Sequence, residues 1–520
     1  MSWPPQITEL DYKPMQLPYL DSIPDVVELL PGRQLFVDDY LLESTTLKRV
    51  LHVPEPMGPA VTPEHPWEGR MADAFSGGCW FDPQDGLYKL WYSVTTSEYR
   101  NGLCYAESAD GSTWTKPSLD TAEAGTNLVL RTIFDSTTIW LDHHDVPERR
   151  YKYFATERCG GWNLTFRVSR DGKRWSEPLA SSPVYGDRTT VFHNPFREKW
   201  VASIRIDSPK SGEAKSAPFE RSDHWRARAY LEADTPEELI ENAPRENLGR
   251  AEISTWGDAV LWYAADELDP HNPAAEYASI DPALYTLDAT PYESVLVGLF
   301  SIWQGPENDV CYETRRHKRN DILVGFTRDG FHWDRPSRTR FISCSDRARD
   351  YRGRNVQSAG GGFLVVEDEL HFYASGWTQE RPGTSCTWRS TMRRDGFTSL
   401  EGSGVVQTRL IRATGSHLFV NVATHREPFT AEILDESGKV IEPYSRENCT
   451  RVTGDHTRVE IQWRNISLTP LAGRPIRIRF HLDRGAFYSF WLTDDADGAS
   501  GGYVAAGGPG LTRGVDCGKR

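Results

Sequence analysis

The chain has 520 residues, 38% hydrophobic and 12% aromatic, which is ample for large cores and for about two to four domains. A net charge of -15 and a pI near 5.5, with acids and bases mixed and no basic tract, argue against nucleic acid and anionic membranes and suit a neutral or cationic small substrate. The N-terminus lacks the basic and apolar regions of a signal peptide and no apolar run nears ~18 residues, so the chain reads as cytoplasmic and the Asn-x-Ser/Thr patterns at Asn163, Asn448 and Asn465 read as chance.

Residues 1–32 are Pro-rich and aperiodic and are expected to form an extended arm. Gln34 to Leu42 is the first strong strand pattern and is expected to close a ring of repeats, with Asp38 and Asp39 as edge or turn residues. The repeat itself starts near Asp73. Its clearest mark is a turn recurring as Ser108-Ala109-Asp110-Gly111, Ser169-Arg170-Asp171-Gly172, Thr327-Arg328-Asp329-Gly330 and Arg393-Arg394-Asp395-Gly396. In the first three copies a Trp (Trp114, Trp175, Trp333) and a Pro follow, and these Trp residues read as core.

The turn aspartates are spaced by 61, 158 and 66 residues, so the middle gap holds two periods plus an insertion. A worn copy at Trp225 to Asp234 fills it, and an acidic helical stretch from Thr235 lies in the insertion near 235–290. Five units of roughly 60 residues predict an all-β fold, a five-bladed β-propeller over 33–400. First strands are expected at Phe75–Phe81, Thr137–Leu141, Thr189–His193, Ser294–Phe300 and Ser358–Val366. Period-2 alternation between 401 and 495 predicts a C-terminal β-sandwich, and the Gly-rich residues 496–520 a tail that is disordered or wrapped on the surface. The eight cysteines have no CxxC spacing and read as free thiols.

Counting back from each turn to the start of its unit brings out Asp73, Asp135, Asp187, Glu293 and Gln357, one before each expected first strand. First strands share a direction, so these five are expected to ring one mouth of the channel, with the Asp-Gly turns on the opposite face. Clustered carboxylates without a metal motif or nucleophile elbow suit glycosidic cleavage, in which one carboxyl protonates the leaving oxygen and another attacks or activates water.

The sequence resembles the five-bladed propeller glycosidases of glycoside hydrolase families 32, 43 and 68, most of all family-32-like proteins with a C-terminal sandwich. The resemblance runs over about 33–495 and rests on Met71-Ala72-Asp73-Ala74-Phe75, Asp187-Arg188-Thr189-Thr190-Val191-Phe192 and Tyr292-Glu293-Ser294-Val295. It lacks the family's Trp-x-Asn-Asp-Pro, Arg-Asp-Pro and Glu-Cys or Glu-Gly-Pro motifs. It implies Asp73 as nucleophile or base, Glu293 as general acid, and Asp187, or Asp135 in its place, as the residue that orients the sugar and tunes the acid. Gln357, Trp162, Trp377, Arg158 and Arg205 are the expected substrate contacts.

The expected activity is hydrolysis of small oligosaccharides or glycosides, furanosides among them, with a small carbohydrate as partner. A sialidase-like hydrolase and a non-catalytic carbohydrate-binding propeller are the alternatives. No cofactor is expected; the carboxylates are compatible with a structural Ca²⁺, but no ligand loop of defined spacing predicts one. Oligomerisation is left open.

Overall fold

A computed structural model describes residues 3–96, 101–158, 161–182, 186–209, 224–243, 258–315, 317–344, 355–378, 383–425, 427–511 and 513–518. Strand dominates them, and no helix among them is long and apolar enough to cross a membrane. The seven described cysteines are free thiols, and Cys159 lies outside the described residues.

Residues 55–393 form up-and-down antiparallel groups. Met71–Asp82, Leu87–Val94, Gly102–Ser108 and Leu128–Leu130 make the first, and Phe134–Leu141, Tyr151–Arg158, Trp162–Ser169 and Ala180–Ser182 the second. Thr190–Asn194, Lys199–Pro209, His224–Ala233 and Val260–Tyr263 make the third, and Ala283–Glu293, Val295–Trp303 and Asn320–Thr327 the fourth. The fifth is Ser358–Val366, Glu369–Thr378 and Thr384–Arg393, closed by Glu55–Val61. A short parallel pairing, Ser385 with Met71 and Cys386 with Ala72, joins the fifth group to the first. The five first strands contact one another in cyclic order, so the groups surround a common axis.

The recurring turn has a chemical cause. Ser108 Oγ accepts from Gly111 N at 2.9 Å, while Asp110 Oδ1 accepts from Ser112 N and Thr113 N, each at 2.7 Å. Ser169 with Asp171 and Thr327 with Asp329 repeat this arrangement, so two short side chains satisfy the donors that the reversal exposes. Gly172, at φ +73°, also lies beneath Trp91, whose indole donates to its carbonyl at 2.7 Å. Trp333 is buried against Phe300 and Trp262, whereas Trp114 meets Tyr373 of the fifth group edge-on and is only half-buried.

Two expectations about the chain path are corrected. The ring is closed by Glu55–Val61, not by Gln34–Leu42. Gln34–Leu35 instead pairs with Phe490 and Ser489, because Phe36 packs on Phe487 and Phe490 while Leu35 and Val37 enter the core of the fourth and fifth groups. Leu42–Thr45 and Lys48–Leu51 likewise pair with Thr398–Thr408. Second, Ser294–Phe300 belongs to the second strand of the fourth group. The first strand is Ala283–Glu293, and Glu293, at φ +51°, turns the chain between the two. The stretch expected as an insertion therefore holds most of a first strand.

The tail, expected to be disordered or wrapped on the surface, takes the second form. Tyr503–Val504 pairs with Tyr292 and Glu293, Phe81 N and Val365 N donate to Ala506 and Gly507 carbonyls, and Phe196 meets Tyr503 edge-on. Gly514 lies against His143. The tail thus runs across the end of the ring remote from the strand starts, touching all five groups. Gly508 allows this close approach, since a Cβ there would fall 1.8 Å from the Val365 carbonyl oxygen.

The C-terminal strands Thr398–Thr408, His417–Thr424, Thr430–Leu434, Asp455–Ile461 and Pro475–Thr493 form one sheet with the N-terminal strands. The 19-residue strand Pro475–Thr493 reaches a positive φ at Arg484 (+54°) and a Cβ-free approach of Gly485 to the Ala423 carbonyl. Its two halves carry different partners and share a core of Phe429, Phe480, Phe487 and Phe490.

Candidate functional site

The starts of the first strands carry the chemistry. Asp73 is buried at the start of the first group and accepts from the Ser385 hydroxyl of the fifth. Asp135 precedes Ser136 in the second group and holds Arg188, with Nε 3.0 Å from Oδ2. Asp187 has 31% of its side chain exposed and accepts from Arg205 Nη1 at 2.8 Å and from Arg226 Nη2. Burial alone would raise the Asp187 carboxyl, but Arg226, Arg205 and Arg188 outweigh it and hold it well below the ordinary carboxylate range. Asp187 is a fixed anion at neutral pH.

In the fourth group this end of the first strand presents Tyr285, which the misplaced strand hid. Its hydroxyl accepts from Lys318 Nζ at 2.8 Å, and the Arg226 guanidinium carbon lies 4.1 Å from its ring centroid. Burial would raise the phenol, yet Lys318, Arg226 and Arg188 lower it to about 7. Arg188 reaches across the axis, 3.4 Å from the Phe75 ring centroid and 5.6 Å from that of Tyr285. Arg228 lies beneath, donating to the carbonyls of Arg188 and Tyr285.

Deeper on the axis, Asp288 accepts from Ser358 Oγ and, at 3.5 Å, from Ser76 Oγ. Burial raises its carboxyl to about 6 against the pull of Ser358 and Arg228. Gln357 opens the fifth group but is wholly buried, its amide engaged by Thr286 and donating to Ser301 and Asn355, each at 3.1 Å. It is built into the wall. Arg158 and Trp162 face one another across a hairpin at this end of the second group, Arg158 exposed and Trp162 half-buried. Trp377 has its backbone paired with Ser385, and its side chain lies outside the described residues. Arg205 is in the cluster through Asp187 and also engages Asp207 at 2.9 and 3.0 Å.

Glu293 is not with them. It ends the strand that Tyr285 opens, and eight residues at about 3.3 Å each put it on the order of 26 Å away. Fully buried there, it accepts from Arg33 N at 3.0 Å, Ser500 Oγ at 2.7 Å and Arg394 Nη2 at 3.2 Å. Burial raises its carboxyl, Arg33 and Arg394 oppose that, and Asp395 and Asp516 add to it. The carboxyl separations of about 5–10 Å that glycosidic cleavage uses are out of reach for Asp73 with Glu293.

The residues missed from sequence are Arg188, Asp207, Arg226, Arg228, Tyr285, Asp288 and Lys318. A signal for two of them was Arg226-Ala227-Arg228, whose alternate arginines lie in the worn repeat copy. Among the described residues no group of three His, Cys, Asp or Glu side chains is arranged to hold a metal ion.

No protein-family model matches the chain, and no curated protein sequence matches it. Solved structures similar in shape include glycoside hydrolases and an N-acetylgalactosamine deacetylase from F. plautii. One described by that name has a TM-score of 0.40 at 11% identity, over 66% of this chain and 93% of its own. A fructofuranosidase from Schwanniomyces occidentalis complexed with fructosylnystose has 0.38 at 11%, over 83% and 96%. An endo-arabinase from Bacteroides thetaiotaomicron has 0.35 at 11%, over 62% and 96%. At such scores the likeness carries neither a substrate nor a residue role to this chain.

Proposed function

We propose that the chain is a glycoside hydrolase of small oligosaccharides or glycosides, working at the mouth where the first strands begin. In this reading the cyclic groups are the blades of a five-bladed propeller, and the folded C-terminal sheet is a β-sandwich that takes in N-terminal strands. The observation that supports the activity is the division of labour between the mouth and the axis just below it. Tyr285 at about 7 and Asp288 at about 6 can exchange protons near neutrality, while Asp187 is held as an anion. Groups that titrate near neutrality beside a fixed anion suit acid-base cleavage of an acetal. Asp73 supplies the second carboxyl, as nucleophile or base, and Asp135 and Asp187 position the sugar together with Arg205.

The test is turnover of a panel of aryl glycosides and short oligosaccharides by the wild type, Tyr285→Phe, Asp288→Asn and Asp73→Asn. Loss of at least about 100-fold in kcat with retained sugar binding in these variants supports hydrolysis. A non-catalytic carbohydrate-binding role is the second reading, favoured by the burial of Glu293 at the far end of its strand. A wild type that binds sugars but cleaves none of the panel would establish it.

A further inference from the structure

The whole chain is acidic, yet its mouth is not. Among the described residues Arg188, Arg205, Arg226, Arg228 and Lys318 gather around Tyr285, against Asp135, Asp187, Asp207 and the deeper Asp288. Five cations thus meet four carboxylates, with Asp73 a fifth at the same mouth, and Arg205 and Arg226 engage Asp187, Arg205 engages Asp207 and Arg188 engages Asp135. Two groups register the nearby cations. Burial, Arg226 and Arg205 lower Arg228 to about 9, and the phenol of Tyr285 is lowered in spite of its burial. Arg188 is only 4% exposed; its guanidinium is paired with Asp135 through Nε and Nη2, but its Nη1 has no hydrogen-bond partner among the described residues. A charged donor left unpaired away from water is costly, so a ligand that pairs it gains what the empty site forgoes.

We propose that the sugar bound at this mouth carries a carboxylate, a uronic acid type of residue, and that the carboxylate docks against Arg188, Arg226 and Lys318 beside the Tyr285 hydroxyl. Guanidinium groups present paired N-H donors that match the two oxygens of a planar carboxylate, and Lys318 adds a point charge from the rim. Lys318 also lines a cleft of about 190 Å³ with Asn308, Cys311, Tyr312, His317 and Asn355, so this one cation faces both the Tyr285 hydroxyl and an open cleft. The expectation of a neutral or cationic substrate came from the net charge of the chain; the groups facing Tyr285 are mainly cations, Lys318, Arg226 and Arg188 against Asp187. This inference deepens the hydrolase reading and rests on the same mouth being the sugar site.

The experiment is calorimetric titration of the full chain with D-glucuronic and D-galacturonic acid, against D-glucose, D-galactose and galactose 6-sulfate. Near-ultraviolet tyrosinate absorbance is followed in the same titrations. Expected are uronate binding at least about tenfold tighter than that of the neutral sugar, weakened by salt, and a fall in tyrosinate signal as the added anion raises the Tyr285 phenol. Lys318→Met, a half-buried rim substitution, should lose about tenfold in uronate affinity, well beyond any loss for the neutral sugar; Arg226→Gln should lose more. Equal binding of neutral sugars, preference for the sulfate, or uronate binding indifferent to Lys318→Met overturns the proposal. Uronate binding without cleavage of any glycoside, glycosyl uronates included, would sink the hydrolase reading and leave this one standing.

Discussion

Arg33 and Glu293, 260 positions apart in sequence, are a buried pair, with the Arg33 amide 3.0 Å from Glu293 Oε2 and its Nε 3.5 Å from Oε1. Arg33 also reaches Asp395 at 2.9 Å, and Arg394 bridges Glu293 and Asp516. One charge network therefore ties the N-terminal segment, the fourth and fifth groups and the tail. Glu293→Gln should cost about 3–5 kcal/mol in denaturant unfolding, because it leaves Arg33 and Arg394 undercompensated in a buried site. Turnover per folded molecule should be unchanged. A variant of wild-type stability that has lost activity would return Glu293 to the chemistry.

Gly172→Ala should destabilise by about 2–5 kcal/mol. The new Cβ would sit 2.4 Å from Trp91 Cζ2 at a position whose φ is +73°, so overpacking adds to a left-handed backbone. Gly86→Ala is the control. Its φ is +71° but nothing lies within 4 Å of the added carbon, so it should cost about 1–2 kcal/mol. Equal shifts in the two unfolding midpoints would show that Trp91 yields and that the contact does not lock the turn.

The repeat was legible because its turn is local chemistry: Ser or Thr, then Asp, then Gly is enough to close it, and Asp73, Asp135 and Asp187 follow by counting back. The fourth group was misframed because its hairpin turns at Glu293-Ser294, without the Gly or Asn that marks such a reversal, and Glu293 takes the positive φ itself. Glu55–Val61 was hidden by its two prolines, which an outer strand tolerates because one side of its ladder is free. The cationic cluster could be read only in part, from Arg205 and the alternate arginines Arg226 and Arg228. Arg188, Arg226, Tyr285 and Lys318 come from four separate segments, and only the closed ring brings them together.

Asp82→Asn should be among the most destabilising single changes in the first two groups, at about 3–5 kcal/mol near neutral pH. The Asp82 carboxylate accepts both ends of Arg150 (2.8 and 2.6 Å), Lys89 Nζ at 2.7 Å and the Tyr151 hydroxyl at 2.6 Å, in a fully buried site. Burial would raise this carboxyl, but Arg150 and Lys89 hold it well below the ordinary range. Its contribution is thus present above the unfolded value of about 3.9 and fades as pH falls below it. Wild type and variant should converge in stability as the medium is acidified; a gap that stays constant to low pH would refute the assignment.

Tyr285 should titrate near neutrality, with a tyrosinate absorbance step at about pH 7 that is absent from Tyr285→Phe. Lys318, Arg226 and Arg188 face the phenol and pull it down, while Asp187 pushes the other way. Removing the closest cation with Lys318→Met should therefore move the step to higher pH, and Asp187→Asn should move it lower. The linkage has a definite sign. The folded value lies below the unfolded value of 10.0, so the ionised ring stabilises the fold, by an amount that is absent below about pH 7 and grows to its full size at about pH 10. The stability of wild type relative to Tyr285→Phe should accordingly rise with pH across that window. A step near pH 10, or a stability difference flat across the window, would mean that the cations around Tyr285 are compensated elsewhere, and the mouth would lose its one phenol able to exchange protons at neutral pH.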